Sequence, residues 1–207
     1  YIKNNNSFIS LIKNTLKSNI NEKLICFGIS PKSPEIKYGY IISEEPKYKN
    51  IKLLKIKNFI EKPNFVKAKN LIKNNALWNS GMFLFNVNCI INEIKTYYPS
   101  VIKNVSLALE EAIYDSDFIK LNGKHFDKTK SISIDNAIFE KTNKSYVKPA
   151  SLEWNDLGTY NALWEVSNKD KNNNVVKGDI ILNNVNNSYV FSDKALVTVS
   201  NVSDINV

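Results

Sequence analysis

Three short segments set polar residues beside a Gly or Pro at the end of an expected strand. They are Phe59-Ile60-Glu61-Lys62-Pro63, Leu77-Trp78-Asn79-Ser80-Gly81-Met82-Phe83 and Trp154-Asn155-Asp156-Leu157-Gly158. In open α/β sheets, ligands gather at the carboxyl ends of the strands. In the first segment Lys62 is a compact point charge suited to a phosphate, and Glu61 can accept two hydroxyl hydrogen bonds from a sugar. Pro63 stiffens the exit. The same Glu-Lys pair also fits an ordinary surface ion pair at a turn. Asn79 offers donors and an acceptor beside flexible Gly81, either to read a hydroxyl pattern or to close an Asx turn into the strand. Trp78 is an apolar wall for a ligand or a core side chain. Asp156 stands just before a helix, where N-capping and Mg²⁺ ligation both fit; Mg²⁺ takes one or two carboxylates and completes its shell with waters and phosphate oxygens.

Other groups offer less. His125 is the one histidine, and its polar Gly/Lys surroundings lead us to expect an exposed, passive side chain. No Ser/His/Asp or Cys/His nucleophile set can be built from it. Cys26 falls in an apolar strand as a small core residue. Gly28, Gly39 and Gly81 stand alone, so these residues contain no Gly-rich phosphate loop.

The groups need a scaffold, and the hydrophobic pattern supplies an α/β one. Phe8, Ile9, Leu11, Ile12, Leu16 and Ile20 recur near helical spacing over 6–20, with Asn6 or Ser7 as N-cap. Leu24 to Ile29 is a continuous apolar run that suits a strand covered on both faces. A helix followed by a buried strand is the mark of an α/β layer architecture. Further strands are expected over 38–42, 51–60, 82–85 and 147–149. Helices are expected over 66–72, 87–97 and 100–114, with a short one from Ser133 to Lys141 and another after Gly158. Beyond the Asn/Lys run at 168–174 the pattern becomes short alternating strands with Asn, Gly and Asp turns. A domain boundary is placed near residue 170.

Composition narrows the classes. The 207 residues are 43% hydrophobic and 23% charged, which fits one large globular domain or one plus a short second piece. Two cysteines, at 26 and 89, are too few and too far apart for a disulfide framework or a zinc knuckle. No apolar run approaches the roughly 18 residues of a membrane helix, so a soluble, cytoplasmic chain with no membrane partner is expected. The net charge of +8 invites nucleic acid, but all 28 basic residues are Lys and they are scattered. Reading bases and tracking phosphates favour Arg gathered on one face, so no nucleic-acid partner is expected. Lys, Asn and Ile share A/T-rich codons, which accounts for their excess. A start without Met and a stop at Val207 inside an alternating stretch suggest an excerpt of a longer protein.

In order along the chain stand Phe27-Gly28-Ile29 with Pro31 and Pro34-Glu35, Tyr38-Gly39-Tyr40-Ile41, the Glu61-Lys62-Pro63 segment and Trp78-Asn79-Ser80-Gly81-Met82-Phe83. Ser133-Ile134-Asp135 with Glu140-Lys141 follows, and then Trp154-Asn155-Asp156-Leu157-Gly158 with Ala162-Leu163-Trp164-Glu165-Val166. This run closely resembles the bacterial mannose-1-phosphate guanylyltransferases (GDP-mannose pyrophosphorylases), above all the long type often fused to a phosphomannose isomerase domain. The resemblance covers nearly the whole chain. It implies a Rossmann-like α/β nucleotidyltransferase fold, with residues 1–168 as its C-terminal, sugar-phosphate part and 169–207 as the start of a left-handed β-helix. The implied reaction joins mannose 1-phosphate to GTP, with Mg²⁺ as cofactor. By resemblance Lys62 holds the sugar phosphate, Glu61 and Asn79 read mannose hydroxyls, and the Gly39 backbone lies against the sugar. Asp156 would be one of two metal-binding carboxylates, which makes Lys62 and Asp156 the catalytic pair. The family's Gly-rich loop and its Asp-His pair would stand upstream of Tyr1, so these residues alone are expected to show no turnover and poor solubility. Two alternatives stay open: a different sugar 1-phosphate or nucleotide, or a catalytically silent sugar-nucleotide-binding homologue. A homo-oligomer is open as well.

Overall fold

The structure, a computed structural model, describes residues 1–44 and 53–207; the first two residues of the strand expected over 51–60 lie outside the described residues. The chain divides into two compact units, Asn4–Leu152 on one side and Tyr1–Lys3 with Glu153–Val207 on the other. The division therefore falls before the expected position near 170. The helix carrying Trp164 belongs with the strands that follow it, since Trp164 Nε1 donates to the Asn173 carbonyl at 2.7 Å. The Tyr160 ring adds to this, lying 6.2 Å from that of Tyr189.

The larger unit runs α1 (Asn5–Leu16), β1 (Leu24–Ile29), β2 (Tyr40–Ser43), β3 (Leu54–Ile60), α2 (Phe65–Lys73), β4 (Leu77–Phe85), α3 (Val87–Tyr97) and α4 (Pro99–Glu110). It continues through β5 (Ile113–Asp115), β6 (Phe118–Lys120), α5 (Gly123–Phe126), a π-helical turn over Asp135–Phe139 and β7 (Ser145–Ala150). The N-cap of α1 is Asn4, which accepts from Ser7 N at 3.0 Å, in place of the expected Asn6 or Ser7. The helix stops at Leu16, short of the expected residue 20, and Ser18 N turns back onto the Thr15 carbonyl. α4 likewise ends early, because residues 113–120 form a two-stranded hairpin about Ser116, whose φ is +47°.

The expected α/β class holds, and the sheet is mixed and closes on itself in the order β1-β4-β2-β3-β7. β1 runs parallel to β7 and antiparallel to β4, and β3 reaches β7 through Leu54 and Lys55. All six residues of β1 are buried, as the unbroken apolar run predicts. Leu24 and Cys26 face a core built with Leu77, Ile90, Ile138 and Phe139. The Cys26 thiol is fully buried and its pKa is pushed up by loss of solvent, so it packs as a small apolar group. His125 departs from its expected exposure: it lies half-buried on α5, with Nε2 3.3 Å from Glu111 Oε1.

The smaller unit carries α6 (Tyr160–Val166) and the strands β8 (Val175–Lys177), β9 (Ile180–Asn186), β10 (Tyr189–Phe191) and β11 (Val197–Ser203). β8 pairs with β10 and β9 with β11, both in parallel, over a small core of Val185, Val190 and Val199. The asparagines now have a structural role beside their codon bias. Asn173, Asn184, Asn187 and Asn201 all hold positive φ, a region that Asn tolerates better than other residues with a Cβ. Asn184 Nδ2 donates to Asn201 Oδ1 at 2.9 Å between the paired strands β9 and β11. Asn174 is buried; its Nδ2 donates to the Val185 carbonyl and its Oδ1 accepts from Ser188 N. Replacing Asn174 by Ala strands both backbone groups, and we expect a loss of about 2–3 kcal/mol in a urea titration. A loss under about 0.5 kcal/mol would show those groups satisfied elsewhere.

Candidate functional site

Strand register brings the candidate residues of the larger unit to one level. Tyr40 pairs with Ile60 on β3 and with Trp78 on β4, so the next position along aligns Gly39 with Glu61 on one side and Asn79 on the other. The Asn79 N–H donates to the Gly39 carbonyl at 2.8 Å. A Cβ at Gly39 would come within 2.6 Å of Glu61 Oε2 and about 3.2–3.3 Å of the Phe59 ring, so the missing side chain is what admits the carboxylate. Trp78 beside it is 6% exposed and meets Tyr38 edge-on at 5.1 Å, which decides for the core reading of that side chain.

Asn79 was expected in the approach to a strand starting at Met82, but β4 already begins at Leu77 and Asn79 lies within it. What the sequence presents as a loop is a β-bulge. Cys26 pairs with Phe83 and Gly28 with Asn79, so Ser80, Gly81 and Met82 bulge out opposite Phe27 alone. Gly81 adopts φ +71° there, and Ser80 Oγ closes the gap by donating to the Phe27 carbonyl at 2.6 Å. Bulges of this kind re-aim a side chain. Asn79 Oδ1 accepts from Gly81 N at 3.2 Å, which is the Asx turn, and Nδ2 donates to Asp135 Oδ1 at 2.9 Å. The Asx turn and a hydrogen bond to another element coexist in one carboxamide.

Lys62 leaves β3 with φ +43°, an uncommon conformation for a side-chain residue, immediately before Pro63. Its Nζ is 3.6 Å from Glu61 Oε1, and the side chain is 67% exposed. The ordinary surface ion pair is therefore present, and the ammonium still faces solvent. Burial raises the Glu61 pKa, the nearby Asp135 charge raises it further, and Lys62 opposes both. Burial raises the Asp135 pKa too, against the Asn79 hydrogen bond and the Lys62 charge. Two carboxylates, one ammonium and one carboxamide thus share a partly desolvated patch, an arrangement suited to hydroxyls beside an anion. Asp135 stands in the Ser-Ile-Asp block of the sequence without an evident task; the hydrogen bond to Asn79 is the signal that sequence lacks.

Asp156 belongs to the smaller unit. It does not cap α6: Thr159 does, accepting from Ala162 N at 3.2 Å. Asn155 Oδ1 accepts from Leu157 N and Asp156 Oδ1 from Gly158 N, two successive Asx turns that hold Leu157 at φ +55°. Among the described residues no three of His, Cys, Asp and Glu gather as a metal shell. A single carboxylate on a tightly wound loop still fits Mg²⁺, whose remaining ligands are waters and substrate phosphates. Among the described residues no helix is long and apolar enough to cross a membrane.

The Nucleotidyl transferase family model matches residues 2–173. The chain is 38% identical to a mannose-1-phosphate guanylyltransferase of Salmonella montevideo over 209 residues, 99% of this chain and 44% of that protein. It is 35% identical to one of Escherichia coli over 210 residues, again 99% of this chain and 45% of the relative. The chain thus spans less than half the length of the curated relatives it matches. In fold it is similar to the crystal structure of a mannose-1-phosphate geranyltransferase from Thermus thermophilus. The TM-score is 0.80 at 23% identity, over 100% of this chain and 60% of that one.

Proposed function

The chain belongs to the nucleotidyl transferase family, and on that premise we propose that the whole protein joins mannose 1-phosphate to GTP, forming GDP-mannose and releasing pyrophosphate. The observation that carries this reading is the single level shared by Gly39, Glu61 and Asn79, with Lys62 at its rim. Glu61 and Asn79 read the hexose hydroxyls, the Gly39 backbone lies against the ring, and Lys62 binds the sugar phosphate. One oxygen of that phosphate attacks the α-phosphorus of GTP; the new P–O bond forms as the bond to the β-phosphate bridging oxygen breaks, and pyrophosphate carries the electrons away. The protein contributes positioning and charge rather than covalent chemistry. Asp156 would hold Mg²⁺, which when bound neutralises phosphate charge. The parallel strands β8 to β11 would begin a left-handed β-helix, and a reaction that consumes GTP would run in the cytoplasm.

The test is pyrophosphate release by the full-length protein with Mg²⁺, GTP and mannose 1-phosphate, set against glucose 1-phosphate and the other nucleoside triphosphates. Turnover fastest with GTP and mannose 1-phosphate supports the reading. Faster turnover with another pair, or binding without turnover, would overturn it.

A pH dependence follows from Glu61. Its ionised form is the one that accepts two hydroxyl donors, and its pKa lies above the ordinary 4.5. Hexose-phosphate affinity should therefore fall as pH drops through a window that begins above 4.5, and Glu61→Gln should lack that component while keeping the ligand's own phosphate titration. Stability has the opposite sign. A raised carboxylate pKa favours the fold at low pH and costs it as pH rises through the folded-state value. Acidification should weaken binding without loosening the patch.

A further inference from the structure

Asp135 stands at the first position of the π-helical turn, and the residues just after it, Ala137, Ile138 and Phe139, are buried in the core. The Phe139 ring lies 4.7 Å from that of Phe83 on β4, and Ser133 Oγ accepts from Asn136 N at 3.4 Å. The π-helical turn is therefore held to β4 on both sides of the bulge, by Phe139 against Phe83 after it and by the Asp135 carboxylate against Asn79 before it. A carboxamide has two N–H donors and two acceptor lone pairs. Among the described residues, Gly81 N takes one lone pair of Asn79 and Asp135 takes one N–H, which leaves one donor and one lone pair for a ligand. The Gly81 contact alone is long at 3.2 Å, and the shorter 2.9 Å bond is the one to Asp135. An ionised carboxylate accepts only, so it forces Nδ2 rather than Oδ1 to face it.

We propose that Asp135 is a positioning residue for sugar recognition: by holding one Nδ2 proton of Asn79 it fixes which edge of that carboxamide meets a hexose hydroxyl. This rests on the reading of the patch as a hexose 1-phosphate site and adds to it a residue that acts through another. Asp135 orients, and Asn79 reads.

The experiment is calorimetric titration of the full-length protein with mannose 1-phosphate, glucose 1-phosphate and galactose 1-phosphate, using the tightest of the three for the variants. Asp135→Ala should raise Kd about tenfold while GTP affinity and Tm stay near wild type. Asp135→Asn can still present Oδ1 to the same proton, and should raise Kd only about twofold. Asn79→Asp sets two carboxylates face to face and should lose more than either. The exchanged pair Asn79→Asp with Asp135→Asn restores one donor against one acceptor, and should regain about tenfold over Asn79→Asp alone. A merely structural role for Asp135 would instead lower Tm and GTP affinity along with sugar affinity in Asp135→Ala. Unchanged Kd in Asp135→Ala, equal losses in the Ala and Asn variants, or no recovery in the exchanged pair would each overturn the proposal. A wild-type protein that binds none of the three sugars overturns the functional reading itself and takes this proposal with it.

Discussion

Lys62→Ala in the full-length protein is expected to lower kcat/KM for the sugar phosphate about 100- to 1000-fold, the range found when a group aimed at transition-state charge is removed. The fold should barely register the change. The Lys62 side chain is 67% exposed and its contact to Glu61 is 3.6 Å, and an exposed ion pair contributes about 0–1 kcal/mol. The Ala variant also keeps the Cβ that the chain already carries at φ +43°, so no backbone strain is added or relieved. A large kinetic loss with an unmoved Tm separates a phosphate ligand from a decorative turn pair. Lys62→Arg keeps the charge but replaces a point donor by a planar fork, and should recover only part of the rate. A second readout is built in: Lys62 holds the Glu61 pKa down, so the acid limb of the Ala variant should move to higher pH. A loss of less than about threefold in kcat/KM would leave Lys62 as the ion-pair partner of Glu61 and nothing more.

What the sequence discloses, and what it hides, follows from the range of the interactions involved. β1 and α3 stand where their apolar patterns place them, because burial of Leu24–Ile29 and of Cys89 and Ile90 is written in local periodicity. The strand ends at Glu61-Lys62-Pro63 are legible for the same reason, with Pro63 as punctuation. The bulge is not. Whether Ser80, Gly81 and Met82 form a loop or a kink inside β4 depends on Ser80 finding the carbonyl of Phe27, far away in sequence. Closure of the sheet through β3 and β7 is hidden likewise, since it joins Leu54 to Val147. The hairpin at 113–120 is masked by the helical pattern before it, because three-residue strands are too short to show a period of two. The asparagine clusters mislead in another way. Codon bias explains their number, yet Asn184 and Asn201 stack at matching left-handed positions that only the pairing of β9 with β11 makes visible. Asp135 is the case that matters for chemistry, for its meaning comes entirely from an amide on another element.

Gly39→Ala tests the site from the opposite direction, by adding matter instead of removing charge. The new Cβ would fall 2.6 Å from Glu61 Oε2, a distance that real contacts do not show, and 3.2–3.3 Å from the Phe59 ring. Phe59 is buried and cannot yield far, whereas the Glu61 carboxylate ends a flexible side chain and can swing away. The strain is therefore relieved mainly at Glu61, and the cost should appear in ligand affinity more than in stability. Losing a charged hydrogen bond costs about 1.5–3 kcal/mol, so KM for the sugar phosphate should rise roughly 10- to 100-fold. KM for the nucleotide should stay put. The mechanism is isolated by a double-mutant cycle with Glu61→Gln. If the added methyl acts by displacing the carboxylate, it should have little left to do once that carboxylate has become an amide, and the two effects should combine to much less than their sum. Fully additive losses would mean that the methyl injures the Gly39–Asn79 backbone contact instead, and the close approach of Glu61 to a bare backbone would then have no part in reading the sugar.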